Sequence, residues 1–252
     1  MAAASPVAAV VVAVVVAGST VWLGSFEVVY RLAPQMVVFS HGFGVERTAR
    51  GMFSAIVANL PAGYGYALFD YYDFRDDEIE VTTFADQQAR LLAVIDWVRQ
   101  QTGVSTLSLV GHSMGCVIAS LAKPAALDHV IFLAPPLQIG ARTRRYFTAK
   151  PGARQDGDSW VVPRSDGSVS RFPEKLFDEI EAVDSAKALL AYAASQPLVV
   201  IAAGADQLLQ AEDQSVLRSA AITRLVVAGA DHNFSGPARQ PLIDLVRQQL
   251  LS

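Results

Sequence analysis

The sequence predicts an α/β fold, in which a mostly parallel central sheet is flanked by helices. Two observations lead to this prediction. Short apolar runs rich in strand-forming residues alternate along the chain with segments of helical spacing, and such alternation is typical of a parallel sheet covered on both faces. The composition, with 52% hydrophobic and 17% charged residues, is that of a globular protein with a largely buried sheet.

Length, charge and cysteine content limit what the chain can be. Its 252 residues fit one α/β domain, so we expect a single domain over residues 1–252. The formal net charge of −4 is spread along the chain without a Lys/Arg-rich block, and no nucleic-acid partner is therefore expected. The single cysteine, Cys116, cannot form an internal disulfide and is predicted to fill a small space in the core.

The first 24 residues are apolar and leave two interpretations open. Residues 7–17 are almost entirely Val and Ala. Because Val favours strands, this run predicts a hairpin with strands from about Ala8 to Val16 and from about Phe26 to Leu32, and a turn at Gly18–Ser19. The alternative is a signal peptide or a short membrane anchor within Val7–Leu23.

Two observations favour the hairpin. No Lys or Arg precedes Arg31, so the basic region that begins a signal peptide is missing. The uninterrupted apolar run is also shorter than the roughly 20 residues that cross a bilayer. We therefore expect a cytoplasmic protein. Secretion or association with a membrane is expected only if Val7–Leu23 is a signal or an anchor.

Beyond this segment the strands and helices alternate regularly. Buried strands are predicted at Gln35–Ser40, Tyr66–Phe69, Thr106–Val110, Val130–Leu133, Leu198–Ala203 and Thr223–Val227. Helices are predicted at Thr48–Leu60, from about Thr83 to Gly103, at Cys116–Ala122, around Asp213–Ala220 and at Gln240–Leu250. The acidic and aromatic stretch Asp70–Glu78 lacks the carboxylate spacing of a calcium loop. It is interpreted as a solvated loop whose tyrosines could line a pocket.

The segment from Gly140 to about Asp184 interrupts the alternation. It contains a turn at Arg164–Gly167 between two short strand patterns, followed by a helix from about Glu174 to Ala182. The segment is too long for a simple connection and too short for a second domain, so it is predicted to form a lid over the carboxyl edge of the sheet. Its basic side chains are interpreted as solvated, with attraction of an anionic substrate as the alternative; they are Arg142, Arg144, Arg145 and Lys150.

The motif Gly111-His112-Ser113-Met114-Gly115 lies between a predicted strand and a predicted helix. A serine at the apex of such a turn is held in a strained backbone conformation, and glycines beside it let the strand and the helix approach closely. The Ser113 hydroxyl is therefore presented at a helix N-terminus. Because a serine at this position is also often a helix cap, the motif alone leaves both interpretations open.

Ser113, Asp206 and His232 each follow a predicted parallel strand. Loops after such strands meet at the carboxyl edge of the sheet, where α/β proteins place their sites. A serine hydroxyl needs an imidazole to accept its proton, and the imidazole needs a carboxylate to orient it and to stabilise its charged form. The three residues therefore predict a catalytic triad.

Other acids and histidines of the chain are alternatives for the same roles. Asp231 is adjacent to His232, and neighbouring side chains rarely point together, so Asp206 is the preferred orienting acid. Asp213 could serve only if its loop folds back. The remaining histidines are expected to have structural or surface positions; they are His41, His112 and His129.

From Gln35 to its end the chain resembles the α/β-hydrolases. The matching motifs are His41-Gly42-Phe43-Gly44, Gly111-His112-Ser113-Met114-Gly115, Gly204-Ala205-Asp206 and Gly229-Ala230-Asp231-His232. The resemblance implies an α/β-hydrolase fold with a short lid insertion, and an oxyanion hole formed by the backbone amides of Phe43 and Met114. Within the superfamily the chain resembles small carboxylesterases of the feruloyl or cinnamoyl esterase type and their peptidase-like relatives.

The sequence thus predicts a serine hydrolase that cleaves a small carboxylic ester through an acyl-enzyme, with no cofactor and no metal. The alternatives are an amide or peptide hydrolase, a C–C bond hydrolase, and a ligand receptor with little turnover. Two departures from the common family pattern are Cys116, where a glycine often stands, and the loop Asp70–Asp73. The second departure leaves the substrate open. The acyl chain length and the alcohol are open too, because the shape of the pocket depends on how the segment Gly140–Asp184 folds. The oligomeric state is open as well.

Overall fold

The computed structural model describes residues 18–164, 166–209, 212 and 214–252, with the backbone alone at positions 141 and 142. Thirteen strands occur in this part of the chain: β1 (Ser19–Leu23), β2 (Phe26–Arg31), β3 (Gln35–Ser40), β4 (Tyr64–Phe69), β5 (Asp73–Arg75), β6 (Glu78–Glu80), β7 (Thr106–His112), β8 (His129–Leu133), β9 (Arg154–Asp156), β10 (Ser159–Pro163), β11 (Val169–Pro173), β12 (Leu198–Ala203) and β13 (Ile222–Val227). The helices are α1 (Met52–Ala58), α2 (Phe84–Arg99), α3 (Met114–Ala122), α4 (Gly140–Thr148), α5 (Glu174–Ala182), α6 (Ser185–Ala193) and α7 (Arg239–Leu250), with short 3₁₀ turns at Ser215–Arg218 and Gly236–Ala238.

The main sheet has eight strands in the order β1-β2-β4-β3-β7-β8-β12-β13. The pairs β1–β2 and β2–β4 are antiparallel, and all later neighbours are parallel. The predicted α/β fold with a mostly parallel sheet is therefore confirmed. Because parallel strands all point the same way, the loops after β3, β7, β12 and β13 emerge at one edge of the sheet.

Helices cover both faces of this sheet. On β3, Met36 and Val38 point into the core shared with α2, α3, α5 and α6, whereas Val37 and Phe39 point into the core shared with α1 and α7. All four side chains are at most 1% exposed. A strand buried on both faces gains from apolar residues at every position, which explains why this strand appears in the sequence as a continuous apolar run.

Helix α2 begins where its sequence pattern predicts. Thr83 and Asp86 form a capping box, in which each side chain accepts a hydrogen bond from the backbone amide of the other residue. Such a box satisfies two amide groups that have no partner inside the helix. The apolar face is buried as predicted, with Leu91, Val94, Ile95 and Val98 all 0% exposed.

The N-terminal hairpin differs from its predicted position. Ser19 begins β1, so the predicted turn at Gly18–Ser19 is wrong, and the turn is instead Gly24–Ser25 between paired Leu23 and Phe26. Gly24 has φ 64°, which glycine adopts without the strain that a Cβ atom causes. The predicted strand Ala8–Val16 lies outside the described residues. Within the described part of the chain, no helix combines the length and the apolar character needed to cross a membrane.

Two further predictions are wrong. The predicted helix Asp213–Ala220 is only a 3₁₀ turn in its described part, because Leu217 is the one side chain in this turn that is buried, and a single anchor does not make an apolar helix face. The stretch Asp70–Glu78 is not simply solvated. Asp70 is 8% exposed, and its carboxylate accepts hydrogen bonds from the amide and the guanidinium of Arg47, which make its burial possible.

The segment 140–184 contains the predicted hairpin, β10–β11, and the predicted helix α5, together with a helix that was not predicted, α4. Its strands, β9 to β11, belong to a larger sheet. They join β5 and β6 in a second sheet, with the order β5-β6-β11-β10-β9. The link is the parallel pairing of β6 with β11, supported by a salt bridge between Arg171 and Glu78 at 2.9 Å. The stretch after β4 and the segment 140–184 therefore form one structural unit.

Candidate active site

Ser113 lies in a strained turn between β7 and α3. Its backbone angles are φ 52° and ψ −123°, a conformation that residues with a Cβ atom rarely adopt. A Cβ atom on Gly115 would lie 2.2 Å from the carbonyl oxygen of Ser40, and one on Gly111 would lie 3.2 Å from the Phe132 ring. Gly115 is therefore needed for the close approach of α3 to β3 that places Ser113 at the helix N-terminus, and Gly111 leaves room for the Phe132 ring.

The structure brings the three predicted side chains into a hydrogen-bonded chain. The Oγ atom of Ser113 lies 2.8 Å from Nε2 of His232, and Nδ1 of His232 lies 2.7 Å from Oδ2 of Asp206. Asp206 follows β12 and His232 follows β13, so both loops reach the edge of the sheet at which β7 ends. The serine hydroxyl thus has a base within hydrogen-bond distance, and that base has a carboxylate behind it.

The environment of Asp206 keeps its carboxyl group ionised. Burial raises its pKa, but hydrogen bonding and attraction to His232, together with the amides of Leu208 and Leu209, outweigh burial and leave the pKa below its ordinary value. Those amides donate to Oδ1 at 2.9 and 3.1 Å, which leaves Oδ2 to accept from His232. A carboxylate at Nδ1 keeps the proton there, so Nε2 is free to accept the proton of Ser113.

Asp231, the acid adjacent to His232, does not occupy this position. Oδ1 of Asp231 accepts a hydrogen bond from the amide of Ser235 at 2.8 Å, inside its own turn. Asp213 lies outside the described residues. Of the described acids, Asp206 is the one that contacts the His232 ring, as the sequence predicts.

His41 and His112 are buried beside the site and make structural hydrogen bonds. Nε2 of His41 accepts from the amide of Tyr71 at 2.9 Å, so its Nδ1 carries the proton and donates to the carbonyl of Gly42 at 2.8 Å. Nε2 of His112 donates to the carbonyl of His232 at 3.0 Å. Each histidine therefore fixes backbone next to the Ser113–His232 pair. His129 begins β8 and is half-buried rather than simply on the surface.

Burial, together with the nearby His232, lowers the pKa of His112 to about 3. A histidine in the unfolded chain has a pKa of about 6.5, so between about pH 6.5 and pH 3 the unfolded state takes up a proton that the folded state excludes. The free energy of unfolding should therefore decrease as the pH falls through this range. We expect His112→Gln to lose less stability than the wild type between about pH 7 and pH 5, as measured by urea denaturation. Equal losses in both proteins would contradict a lowered pKa of His112 as the cause.

The loop after β3 approaches Ser113 closely. A Cβ atom on Gly42 would lie 3.1 Å from Cβ of Ser113, which is closer than most Cβ contacts, so glycine favours this approach. Phe43 and Met114 both border the cavity that contains Ser113. Within the described residues neither backbone amide donates a hydrogen bond to a protein acceptor. Two amides without a described protein acceptor thus lie in the segments next to the serine, since Met114 follows Ser113 directly and Phe43 follows Gly42.

A cavity of about 720 Å³ lies above Ser113 and His232. It is bounded by the loop after β3, by the loop that carries Asp206 and by the segment 140–184. One wall is aromatic, because the ring centroids of Phe43, Phe147 and Phe172 lie 4.9 to 5.4 Å apart and the rings of Phe43 and Phe172 are nearly parallel. We did not predict this wall from the sequence, since its three rings come from separate segments and their only signal was their position near the motif or in the predicted lid.

Residues 37–247 match the model of the alpha/beta hydrolase family. The chain belongs to this family. No curated protein sequence matches it. Family membership supports a hydrolase activity, and the α/β-hydrolase fold predicted from the resemblance is confirmed.

Several solved structures share this fold. Est1E from Butyrivibrio proteoclasticus with ferulic acid bound is 16% identical, with a TM-score of 0.70 over 93% of this chain and 100% of that chain. The esterase domain of a Rhodothermus marinus protein is 18% identical, with a TM-score of 0.62 over 88% and 90% of the two chains. The Pyrococcus furiosus esterase Pf2001 is 17% identical, with a TM-score of 0.61 over 90% and 85%. At these identities the likeness concerns the fold.

Proposed function

We propose that the protein is a serine hydrolase that cleaves small carboxylic esters. One observation carries the proposal: the hydrogen-bonded chain from Ser113 through His232 to Asp206, with Ser113 in a strained turn at a helix N-terminus. A buried serine with an ordinary structural role needs neither this backbone strain nor a histidine that is itself held by a carboxylate.

In the proposed reaction Oγ of Ser113 attacks the carbonyl carbon of the ester while Nε2 of His232 takes its proton. The tetrahedral intermediate collapses, the C–O bond to the alcohol breaks, and His232 gives the proton to the leaving oxygen. Water then attacks the acyl-enzyme, with His232 again acting as the base, and releases the acid. Asp206 stays ionised throughout and stabilises the charged form of His232.

The amides of Phe43 and Met114 are proposed to bind the oxygen that becomes negative in both tetrahedral intermediates. Their positions, directly after Ser113 and directly after Gly42, and the lack of an acceptor for either amide among the described residues support this role. A donor of this kind typically contributes about 3 kcal/mol to transition-state stabilisation. Met114 is also the first residue of α3, so the positive end of the helix dipole lies at the same place.

The cavity walls support an ester with an apolar group beside the reacting carbonyl. The rings of Phe43, Phe147 and Phe172 form a surface on which such a group can pack. In this proposal the segment 140–184 acts as the lid, since it supplies Phe147 and Phe172 and closes one side of the cavity. Amide or C–C bond cleavage, and ligand binding without turnover, remain the outcomes to be tested against ester hydrolysis.

The variant Asp206→Asn tests the triad without removing the nucleophile. An amide at this position no longer holds the Nδ1 proton of His232 reliably, and we expect kcat for a p-nitrophenyl ester to fall by about 10⁴-fold. The matched control is Asp231→Asn, one residue from His232 but bonded to Ser235, whose activity should stay within a few-fold of the wild type. Activity of Asp206→Asn close to the wild type would contradict the proposed role. Cleavage by the wild type of the matching p-nitroanilide, but not of the ester, would redirect the proposal to amides.

A further inference from the structure

Most charged side chains that line the cavity are basic. Arg50, Arg145, Lys150 and Arg164 line it, whereas among its described lining residues the only carboxylate is that of Glu212. One oxygen of Glu212 accepts a hydrogen bond from the amide of Leu137 at 2.6 Å. Because the whole chain has a net charge of −4, the positive character of this cavity is a local feature.

Helix α4 contributes one of these basic side chains to the cavity and uses its neighbour to contact α5. Arg144 forms salt bridges with three carboxylates of α5, those of Glu174, Asp178 and Glu181. Arg145, the next residue, lines the cavity and forms no salt bridge with any described residue. Consecutive helix residues point about 100° apart, so the helix uses one guanidinium to attach itself to α5 and presents the other to the cavity.

Lys150 brings a second charge to the same wall. Its Nζ atom lies 4.9 Å from the ring centroid of Tyr146 and 5.0 Å from that of Phe147, and no carboxylate of the described chain lies within salt-bridge distance. Cation–π contacts hold the ammonium group without neutralising it. Phe147 belongs to the aromatic wall, so this charge lies directly beside the apolar surface of the cavity.

The guanidinium of Arg164, unlike the charges of Arg145 and Lys150, has hydrogen-bond and ion-pair partners in the protein. Its Nη1 atom donates to the carbonyl of Gly44 and to Oγ of Ser170, and its Nε atom lies 3.5 Å from a carboxylate oxygen of Asp166. It therefore fastens the segment 140–184 to the loop after β3. The charges left for a ligand are those of Arg145 and Lys150, together with that of exposed Arg50.

We propose that the preferred substrates carry a carboxylate in addition to the ester that is cleaved, and that Arg145 and Lys150 bind this carboxylate. The inference rests on the proposed ester hydrolysis. The apolar part of the substrate packs on Phe43, Phe147 and Phe172, and its carboxylate reaches the two cations at the edge of that wall. A guanidinium pairs with a carboxylate through two parallel hydrogen bonds, and an ammonium adds a point charge.

Two pairs of esters test this proposal and distinguish a carboxylate on the acid from one on the alcohol. The first pair is p-nitrophenyl hexanoate and p-nitrophenyl hydrogen adipate, which have acyl chains of equal length. The second pair is 4-carbamoylphenyl pentanoate and 4-carboxyphenyl pentanoate. We expect kcat/KM for the carboxylate to exceed that for its neutral partner by about 5- to 20-fold in at least one pair, with a ratio that shrinks as salt is added.

Charge-removing variants connect the preference to the two residues. In Arg145→Gln and Lys150→Gln the ratio should fall about 3-fold each, and in the double variant it should approach one. Arg154→Gln is the matched control, because Arg154 is an exposed arginine of the same segment that does not line the cavity; its ratio should equal that of the wild type. Ratios near one in both pairs, or a preference that survives in the double variant, would overturn the inference and leave ester hydrolysis in place. Failure to cleave any of the four esters would overturn both.

Discussion

Ser113→Ala is expected to reduce the rate of ester hydrolysis by about 10⁴-fold or more. The variant has no nucleophile for the acyl-enzyme, and only binding and the oxyanion donors remain to accelerate attack by water. Removing one hydroxyl group leaves the strained turn in place, because the strain lies in the backbone of Ser113 and not in its side chain. The measurement is kcat on a p-nitrophenyl ester, together with labelling by a fluorophosphonate probe, which should disappear.

The control for this experiment is Ser120→Ala. Ser120 lies on α3, two turns from Ser113, and its hydroxyl donates to the carbonyl of Cys116 at 2.8 Å inside the same helix. It contacts none of the catalytic atoms, so the variant should hydrolyse the ester at close to the wild-type rate and should still be labelled. Retention of activity or labelling in a folded Ser113→Ala protein would show that another residue is the nucleophile.

Gly115→Ala is expected to impair folding and activity together. The new methyl group would lie 2.2 Å from the carbonyl oxygen of Ser40 and 2.6 Å from that of His41, and backbone atoms cannot move aside as a flexible side chain can. We expect a loss of about 3 kcal/mol or more in stability, which corresponds to a decrease of roughly 6–12 °C in Tm for a chain of this length. Any protein that folds must displace the end of β3.

A displaced end of β3 should also lower kcat. The end of β3 leads into Gly42 and Phe43, so a shift of about 1 Å there moves a proposed oxyanion donor and should reduce kcat by about 10²-fold. Gly140→Ala is the matched control, because no atom lies within 4 Å of a Cβ at that position and its φ is not in the left-handed region. If Gly115→Ala kept wild-type Tm and kcat, the close approach of α3 to β3 would be wrong.

Local patterns account for the parts of the fold and the site that the sequence predicts. The strands of the parallel sheet are continuous apolar runs, and α2 has both its capping residues and its apolar spacing within one stretch of chain. The loops that carry Ser113, Asp206 and His232 follow from strand direction alone. Their convergence could therefore be expected before any coordinates were known.

Features that depend on distant partners could not be predicted in the same way. Asp70 is buried because Arg47 pairs with its carboxylate, and nothing near Asp70 in the sequence indicates that partner. Helix α4 has no regular apolar spacing. Its position against α5 is stabilised by salt bridges of Arg144 with three carboxylates of that helix. The hairpin turn lies at Gly24–Ser25 and not at the predicted Gly18–Ser19, because Ser19–Leu23 forms β1 by pairing with β2, although no strand was predicted there.

The pairing of β6 with β11 has a consequence for engineering. Three residue pairs join these strands, from Val169 opposite Glu78 to Arg171 opposite Glu80, although the two strands are about 90 positions apart in sequence. A chimaera that received only the segment 140–184 of a relative would bring a strand edge without its hydrogen-bonding neighbour. Replacement of the segment 140–184 in this protein should therefore include the stretch after β4, so that both halves of its second sheet come from one parent.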